Sequence, residues 1–378
     1  MTNIKMMQFS EVCRVYQPET ISKKSLPANG IYPVYGANGK IGFNDKFNHE
    51  EPQLLLGCRG SVGSIHISEA FSWINGNAMV VQPFEDLVTR DYLKYALLGG
   101  INIKDAISGT AQPQITRESL SKIRIPVPSL EKQGEIVEKL DSAIAVIEEA
   151  KSQTSLSLQR LTKLLDAKFE EVFITLEAEF GLVQSGTIID VRDGTHDSPS
   201  YVDSGYPLIT SKNLQDGLID FSKVSFIKEK DYQQINRRSK VEVGDLLFAM
   251  IGTIGNPVVV KEVPLFAIKN VALFKGNPKY DMTFLSFYLR TPKIREKFER
   301  EAKGTTQRFL GLGYLRTLDI PHVPIENQHD TAIKLEQFES ELKKLELNLK
   351  QRLENFIELN NSILSSGFTI DSREEEVA

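Results

Sequence analysis

Two stretches of this chain repeat each other 195 residues apart, and any fold proposed for it has to accommodate that repeat. In residues 130–173 the apolar side chains of Leu140, Ala143, Ile147, Ala150, Leu158, Leu161, Leu165 and Phe169 recur three and four positions apart. That spacing lines them along one face of an α-helix. Leu342, Leu345, Leu349, Leu353 and Phe356 lie 195 positions after Ile147, Ala150, Thr154, Leu158 and Leu161, and Phe368 lies 195 after Phe173. The stripes through Leu140, Ile147, Leu158, Leu161 and Leu165 and through Leu342, Leu345, Leu349, Leu353 and Phe356 have the spacing of a coiled-coil seam. Both copies step by four and then four, Thr154 to Leu158 and Leu349 to Leu353, where a strict heptad steps four then three. A register fault shared by two helices points to an internal duplication.

The repeat divides the chain into a strand-rich block at 1–129, a long helix at 130–180, a second block at 181–325, a second long helix at 326–370 and an acidic tail at 371–378. In the first block, Ile31 to Gly42 reads as strand and turn, Leu54 to Leu56 as a short strand closed by Gly57, and Ser64 to Ser68 alternates with period two. Thr89 caps a helix whose face is Tyr92, Leu93, Ala96 and Leu97, with Gly99-Gly100 as its stop. The second block runs through the same events. Leu208–Thr210, Leu246–Met250, Pro257–Val260 and Val271–Phe274 read as strands, and Asp281 caps a helix to Leu289. Gly60-Ser61-Val62-Gly63 answers Gly252-Thr253-Ile254-Gly255, while Gly109-Thr110-Ala111-Gln112 and Ile125-Pro126 answer Gly304-Thr305-Thr306-Gln307 and Ile320-Pro321. The expected architecture is a mixed α/β (α+β) protein: two pseudo-symmetric, strand-rich domains and two long helices. The order domain, helix, domain, helix pairs the helices antiparallel if a two-fold relates the halves.

Net charge misleads unless it is counted by block. The chain carries −5 overall, yet residues 1–129 hold 13 basic and 11 acidic residues and residues 181–325 hold 20 and 16, so the acid lies in the helices and tail. Two mildly basic domains on acidic connectors suit phosphate contact by the domains alone. Cys13 and Cys58, the only cysteines, make neither a disulfide framework nor a zinc site and read as buried thiols in a reducing cytoplasm. No leader is visible at the N-terminus, and no stretch reaches the roughly 20 apolar residues that a membrane span needs.

Taken in order, Tyr32-Pro33-Val34-Tyr35-Gly36-Ala37-Asn38-Gly39, Gly57-Cys58-Arg59-Gly60-Ser61-Val62-Gly63, Gly109-Thr110-Ala111-Gln112-Pro113-Gln114-Ile115, Asp193-Gly194-Thr195-His196 and Asp245-Leu246-Leu247-Phe248, together with the two long helices, give the chain a family resemblance. It resembles the specificity subunits of type I restriction and modification enzymes over essentially its whole length. The resemblance implies a subunit without catalysis of its own, whose two target-recognition domains each read one half of a split, asymmetric duplex DNA sequence. It also implies that the paired helices bind two methyltransferase subunits, and that translocase and nuclease (restriction) subunits join the larger assembly. S-adenosylmethionine, ATP and magnesium would then sit on those partners and no cofactor on this chain. The second Gly-Thr-x-Gln departs from the first, continuing Arg308-Phe309-Leu310 in place of Pro-Gln-Ile.

Side-chain amides pair bidentately with adenine and guanidinium groups with guanine, whereas lysines mostly hold phosphates. The candidates for DNA contact are therefore Asn38, Lys40, Arg59, Gln112 and Gln114 in the first block, and Thr195, His196, Lys212, Asn213, Arg237, Arg238, Gln307 and Arg308 in the second. Residues that differ between the halves are the better carriers of two different readings. No catalytic or metal-binding residue is assigned. The Asn-Pro pairs Asn256-Pro257 and Asn277-Pro278 lack the second proline of an amino-methyltransferase loop, and no phosphate-binding Gly-x4-Gly-Lys-Ser/Thr loop is present. Two rivals remain: an enzyme with an unrecognised site, and a coiled-coil scaffold that binds only protein. A specificity subunit of a related type II restriction-methylation system is a variant of the main reading.

Overall fold

The computed structural model describes residues 4–109, 112–304 and 308–368. Its contacts form two compact units, one made of the chain up to Ser155 with the stretch from Lys350 onward, the other of Leu156–Leu349. In the first unit, β1 (Lys5–Gln8), α1 (Phe9–Val12), β2 (Cys13–Tyr16), β3 (Tyr32–Gly36), β4 (Gly39–Asn44), β5 (Leu54–Gly57), β6 (Ile65–Ile67), β7 (Trp73–Ile74) and β8 (Ala78–Pro83) precede α2 (Arg90–Tyr95). Then come β9 (Ile107–Ser108), β10 (Gln114–Ile115), α3 (Arg117–Ser121) and β11 (Arg124–Val127), which leads into the long helix α4 (Leu130–Phe180).

The second unit repeats the plan with β12 (Leu182–Gln184), α5 (Ser185–Ile188), β13 (Val191–Asp193), β14 (Tyr201–Val202), β15 (Tyr206–Ile209), β16 (Leu214–Gln215), β17 (Leu218–Ile219), β18 (Ser225–Ile227) and α6 (Glu229–Ser239). β19 (Leu246–Ala249), β20 (Gly255–Val259), β21 (Ala267–Ile268), β22 (Val271–Phe274), α7 (Met282–Leu289), α8 (Pro292–Glu301), α9 (Leu312–Arg316) and β23 (Asp319–Pro321) follow, and β23 leads into α10 (Ile325–Ser366).

The duplication is one of topology as well as of sequence. One sheet runs β2-β8-β5-β6 in the first unit and β13-β22-β19-β20 in the second. β3 pairs parallel with β7 as β15 does with β21, and β1 closes on β11 as β12 does on β23. The sheet strands Leu54–Gly57 and Leu246–Ala249 are buried on both faces, which accounts for their continuous apolar runs in place of alternation. Gly60, Gly63, Gly252 and Gly255 all take positive φ, so both Gly-x-x-Gly motifs are turns, each between its apolar strand and the strand that follows.

Each long helix is tied to its own domain by a glutamine that carries no signal in the sequence pattern. Gln133 and Gln328, 195 apart and both 0% exposed, occupy the first turns of α4 and α10. Gln133 accepts from the backbone N–H of Thr89 at 2.9 Å and donates to the carbonyls of Leu87 (2.9 Å) and Pro128 (3.0 Å). Gln328 accepts from the N–H of Asp281 at 2.8 Å and donates to Val323 at 2.7 Å. Thr89 and Asp281 are the N-caps of α2 and α7, so each glutamine joins a long helix to the cap of its domain's helix. Gln133→Leu is expected to lower stability by about 2–4 kcal/mol, because it strands a buried donor and two acceptors. Urea denaturation of the purified chain checks this, and a change below about 0.5 kcal/mol would show that the glutamine is dispensable.

The helices run antiparallel. In the first unit Leu140, from the early turns of α4, packs with Leu364 near the end of α10 and with Tyr95. In the second, Leu165, Phe169 and Phe173 near the end of α4 share a core with Ala332 and Leu335 from the start of α10. The expected register fault in the second copy is not borne out. Leu345, whose inclusion created it, is 53% exposed, while Leu342 is buried and Leu349, Leu353 and Phe356 are half-buried. In α4 the buried Gln133, Leu140, Ile147 and Thr154 recur every seven residues; beyond them Leu158, Leu161 and Leu165 are half-buried, and Phe169 and Phe173 are buried out of that series. An unbroken heptad places Glu346 where the apolar count had placed Leu345, and leaves Leu345 facing solvent.

A second correction concerns Gly99-Gly100. They do not stop the helix at Leu98: the backbone continues through them as a wide turn over Ala96–Gly100, closed by the Ile101 N–H on the Ala96 carbonyl at 2.9 Å. A Cβ on Gly99 would lie 2.5 Å from the Leu364 Cβ, and one on Gly100 2.5 Å from the Phe368 ring. The glycines form a notch that lets the end of α10 approach closely, a demand local sequence does not express.

Candidate nucleic-acid interface

In both units the same set of loops converges at the ends of the central sheet. In the first, the N–H groups of Cys58 and Arg59 reach the Asn77 carbonyl at 3.1 and 3.3 Å, Arg59 bridges Gln114, and the Ile115 N–H bonds the Cys58 carbonyl at 3.1 Å. Ser64 Oγ donates to the Ala37 carbonyl, drawing the Asn38 turn to the same place. In the second, the Leu310 N–H bonds the Met250 carbonyl at 2.9 Å, the counterpart of the Ile115 bond, and the Gly252 N–H bonds the Arg308 carbonyl at 3.0 Å. Ser211 Oγ donates to the Asn270 carbonyl at 3.1 Å, and the Asn270 N–H bonds the Thr195 carbonyl at 3.1 Å.

The candidates fall into three groups within this frame. Asn38, Arg59 and Gln112 are exposed on converging loops, with Gln114 half-buried beside Arg59. Thr195, His196 and Arg238 gather on one loop and the end of α6, while Lys212 is exposed next to buried Ser211 and Arg237 is exposed on α6. Two candidates are engaged elsewhere: Lys40 pairs with Glu69 at 2.7 Å, and the Arg308 guanidinium turns onto Glu299. Gln307 lies outside the described residues, as do Thr110, Ala111, Thr305 and Thr306 of the repeated Gly-Thr-x-Gln loops.

Asn213 does not belong among the contacts. It is 5% exposed; its Oδ1 accepts from the Thr210 N–H and Oγ1 at 3.0 and 2.9 Å, and its Nδ2 donates to the Asp220 carbonyl at 3.0 Å. With both ends of the amide used inside the fold, nothing remains for a base edge. Asn213→Ala should therefore cost about 1–3 kcal/mol of stability. Lys212→Ala should leave stability unchanged and, as a phosphate contact, lower the salt slope of DNA binding by about one. Thermal unfolding and a salt titration separate the two roles; a stable Asn213→Ala variant with weakened DNA binding would reverse the assignment.

Several groups in the site were not among the candidate contacts named from the sequence. Asp245, in sequence the first residue of Asp245-Leu246-Leu247-Phe248, is 1% exposed and receives the N–H groups of Glu242 and Gly276 and the Lys275 ammonium, all within 2.8 Å. It organises a turn. Asp193 has the sequence context of a turn residue, yet it is buried beneath His196 and Arg238. Gln17, Asn77, Lys269 and Asn270 also line the loop clusters. The one available signal was the alignment of Asn77 and Asn270, each directly before an apolar strand. Among the described residues no group of three or more His, Cys, Asp or Glu side chains is placed to hold a metal ion, and no helix is long and apolar enough to cross a membrane.

Comparison with known proteins agrees with this geometry. The family model described as the type I restriction modification DNA specificity domain matches twice, over residues 1–158 and 196–355. The type I restriction enzyme EcoBI specificity subunit of Escherichia coli is 24% identical over 346 residues, covering 83% of this chain and 72% of its own length. A putative type I restriction enzyme specificity subunit of Haemophilus influenzae is 25% identical over 335 residues, 84% of this chain and 83% of its own. Among solved structures, a chain from work on complex assembly and conformational transition of the type I R-M system superposes with a TM-score of 0.72 at 15% identity, covering 97% of this chain and 98% of its own. The HsdS subunit from Thermoanaerobacter tengcongensis gives 0.59 at 16% identity, covering 97% of each chain. With the family model matched by both halves around the same duplicated loop cluster, the chain belongs to the type I restriction modification DNA specificity family, as a non-catalytic specificity subunit.

Proposed function

We propose that this subunit reads a bipartite, asymmetric duplex DNA target, residues 1–129 addressing one half-site and residues 181–325 the other. The observation that carries the reading is the loop cluster, built twice on the same sheet order and filled with different side chains: one frame presented twice suits two half-sites of unlike sequence. α4 and α10 recruit two methyltransferase subunits, and restriction subunits complete the assembly. The outer faces of these helices support this, since Val146, Leu347 and Ile357 are 70%, 71% and 54% exposed. S-adenosylmethionine, ATP and magnesium belong to the partners, and the complex works in the cytoplasm, where its DNA is.

The test is methylome sequencing of the host with and without the gene, joined to binding assays on duplex DNA with the co-purified methyltransferase subunit. The expected result is one split motif that loses methylation with the gene, and binding that weakens steeply with salt. Methyl transfer by the purified chain alone would overturn the division of labour, and salt-insensitive or absent DNA binding would favour a scaffold that binds only protein.

A further inference from the structure

Asp193, at the end of β13, is 4% exposed and lies beneath two groups that are largely open to solvent. The Arg238 guanidinium, from the end of α6, donates to its Oδ1, and the His196 Nε2 lies 2.8 Å from its Oδ2. On the other side of the ring, His196 Nδ1 lies 2.8 Å from Oδ1 of Asn270. An imidazole flanked by an acceptor at each nitrogen satisfies both only as the doubly protonated cation. The hydrogen bond to Asn270, and after it the one to Asp193, accordingly raises the His196 pKa above the usual histidine value, against burial and the Arg238 charge. One enclosed carboxylate thus holds the Arg238 cation and the His196 ring, a second cation when it is protonated; their side chains are 65% and 60% exposed. Nearby, Lys269 Nζ is fixed on Ser198 Oγ at 2.5 Å.

The first unit has uncharged side chains at the two positions that strand pairing makes equivalent to Asp193 and Asn270. Leu54 and Leu246 both face the strand that covers them, through Val81 and Phe274, and those residues pair with Val15 and Val191. Two residues further on, Gln17 stands where Asp193 stands, and Asn77 where Asn270 does. Gln17 donates to the Cys58 Sγ (3.1 Å) and the Gly76 carbonyl (3.2 Å), and Asn77 leaves its Oδ1 without a partner. The frame alone therefore does not require a carboxylate here, since the other copy of the same frame has Gln17 in its place.

Resting on the DNA-reading function above, we propose that Asp193 is a positioning residue that holds Arg238 as the donor to acceptor atoms of the DNA half-site addressed by residues 181–325, with the His196 ring, both of whose nitrogens are engaged by Asp193 and Asn270, as the charge beside it. The carboxylate anchors the guanidinium through one N–H and orients the imidazole before binding, which spares Arg238 part of the ordering cost of contact. The acceptors are either the O6 and N7 of a guanine edge or phosphate oxygens, and both offer the same chemistry to a fork of N–H donors.

The test uses the subunit co-purified with its methyltransferase and a duplex carrying the motif found by methylome sequencing. The variants are Asp193→Asn, Arg238→Lys and His196→Gln, and thermal unfolding identifies any that fail to fold. Arg238→Lys and His196→Gln alter exposed side chains and keep the test open if Asp193→Asn unfolds. Each variant is expected to bind roughly tenfold or more weakly, with mismatch penalties in the first half-site unchanged. Loss concentrated at one base pair of the second half-site assigns a guanine edge; uniform loss with a smaller salt slope assigns phosphate. Wild-type binding should also weaken as pH rises through the His196 pKa, and His196→Gln should abolish that dependence. Folded Arg238→Lys and His196→Gln variants that bind and discriminate as the wild type does would overturn the proposal. Failure of the wild-type complex to bind the motif at all would instead sink the DNA-reading function itself.

Discussion

Exchanging residues 181–325 for the matching block of another specificity subunit is expected to switch one half of the DNA target and leave the half addressed by residues 1–129 unchanged. The expectation rests on separate cores. Leu246, Phe248, Phe274 and Phe284 pack in one cluster with the ends of the long helices, whereas Leu54, Met79, Val81 and Leu93 pack in another that shares none of them. A block whose core is shared only with the adjoining ends of the long helices, and which carries its own loop cluster, can be exchanged without disturbing its counterpart. The effect is large, because specific sites exceed nonspecific ones by roughly 10³ to 10⁷ in affinity. Methylome sequencing of the chimera reads the outcome directly. New bases in both halves of the motif would show that the blocks read jointly.

Phe173→Ala is expected to cost about 3–5 kcal/mol, the loss that follows when a whole aromatic ring is removed from a packed core. The ring is 2% exposed and meets Phe284 and Tyr288 with centroid separations of 5.1 and 5.2 Å in the core that joins α4 to the second domain. Its counterpart 195 residues on, Phe368, is half-buried against Tyr92 at 5.4 Å and the Gly99-Gly100 notch. Phe368→Ala should therefore cost only about half as much, since less surface returns to water on truncation. Denaturant titration of the two variants measures the asymmetry. Equal losses would show that sequence equivalence, and not local burial, governs the two sites.

Much of this protein was legible in its sequence because the repeat makes each feature appear twice. Apolar spacing located both long helices, the caps Thr89 and Asp281 located α2 and α7, and the doubled glycine turns located the loops that converge. These are local properties, set by which side chains must leave water and which backbone groups need a partner within a few residues. Tertiary structure decided the rest. Leu345 and Leu342 are alike as residues, yet only the facing helix determines which of them is covered. Gly99 and Gly100 read as a stop until Leu364 and Phe368 are seen to press against them. Asn213 and His196 are both polar loop residues; the first spends its amide on Thr210 and Asp220, while the second is held outward over a buried carboxylate. Gln133 and Asp193 acquire their roles from partners at Thr89 and Arg238, 44 and 45 residues away, and hydrogen bonds at that separation leave no local pattern to read.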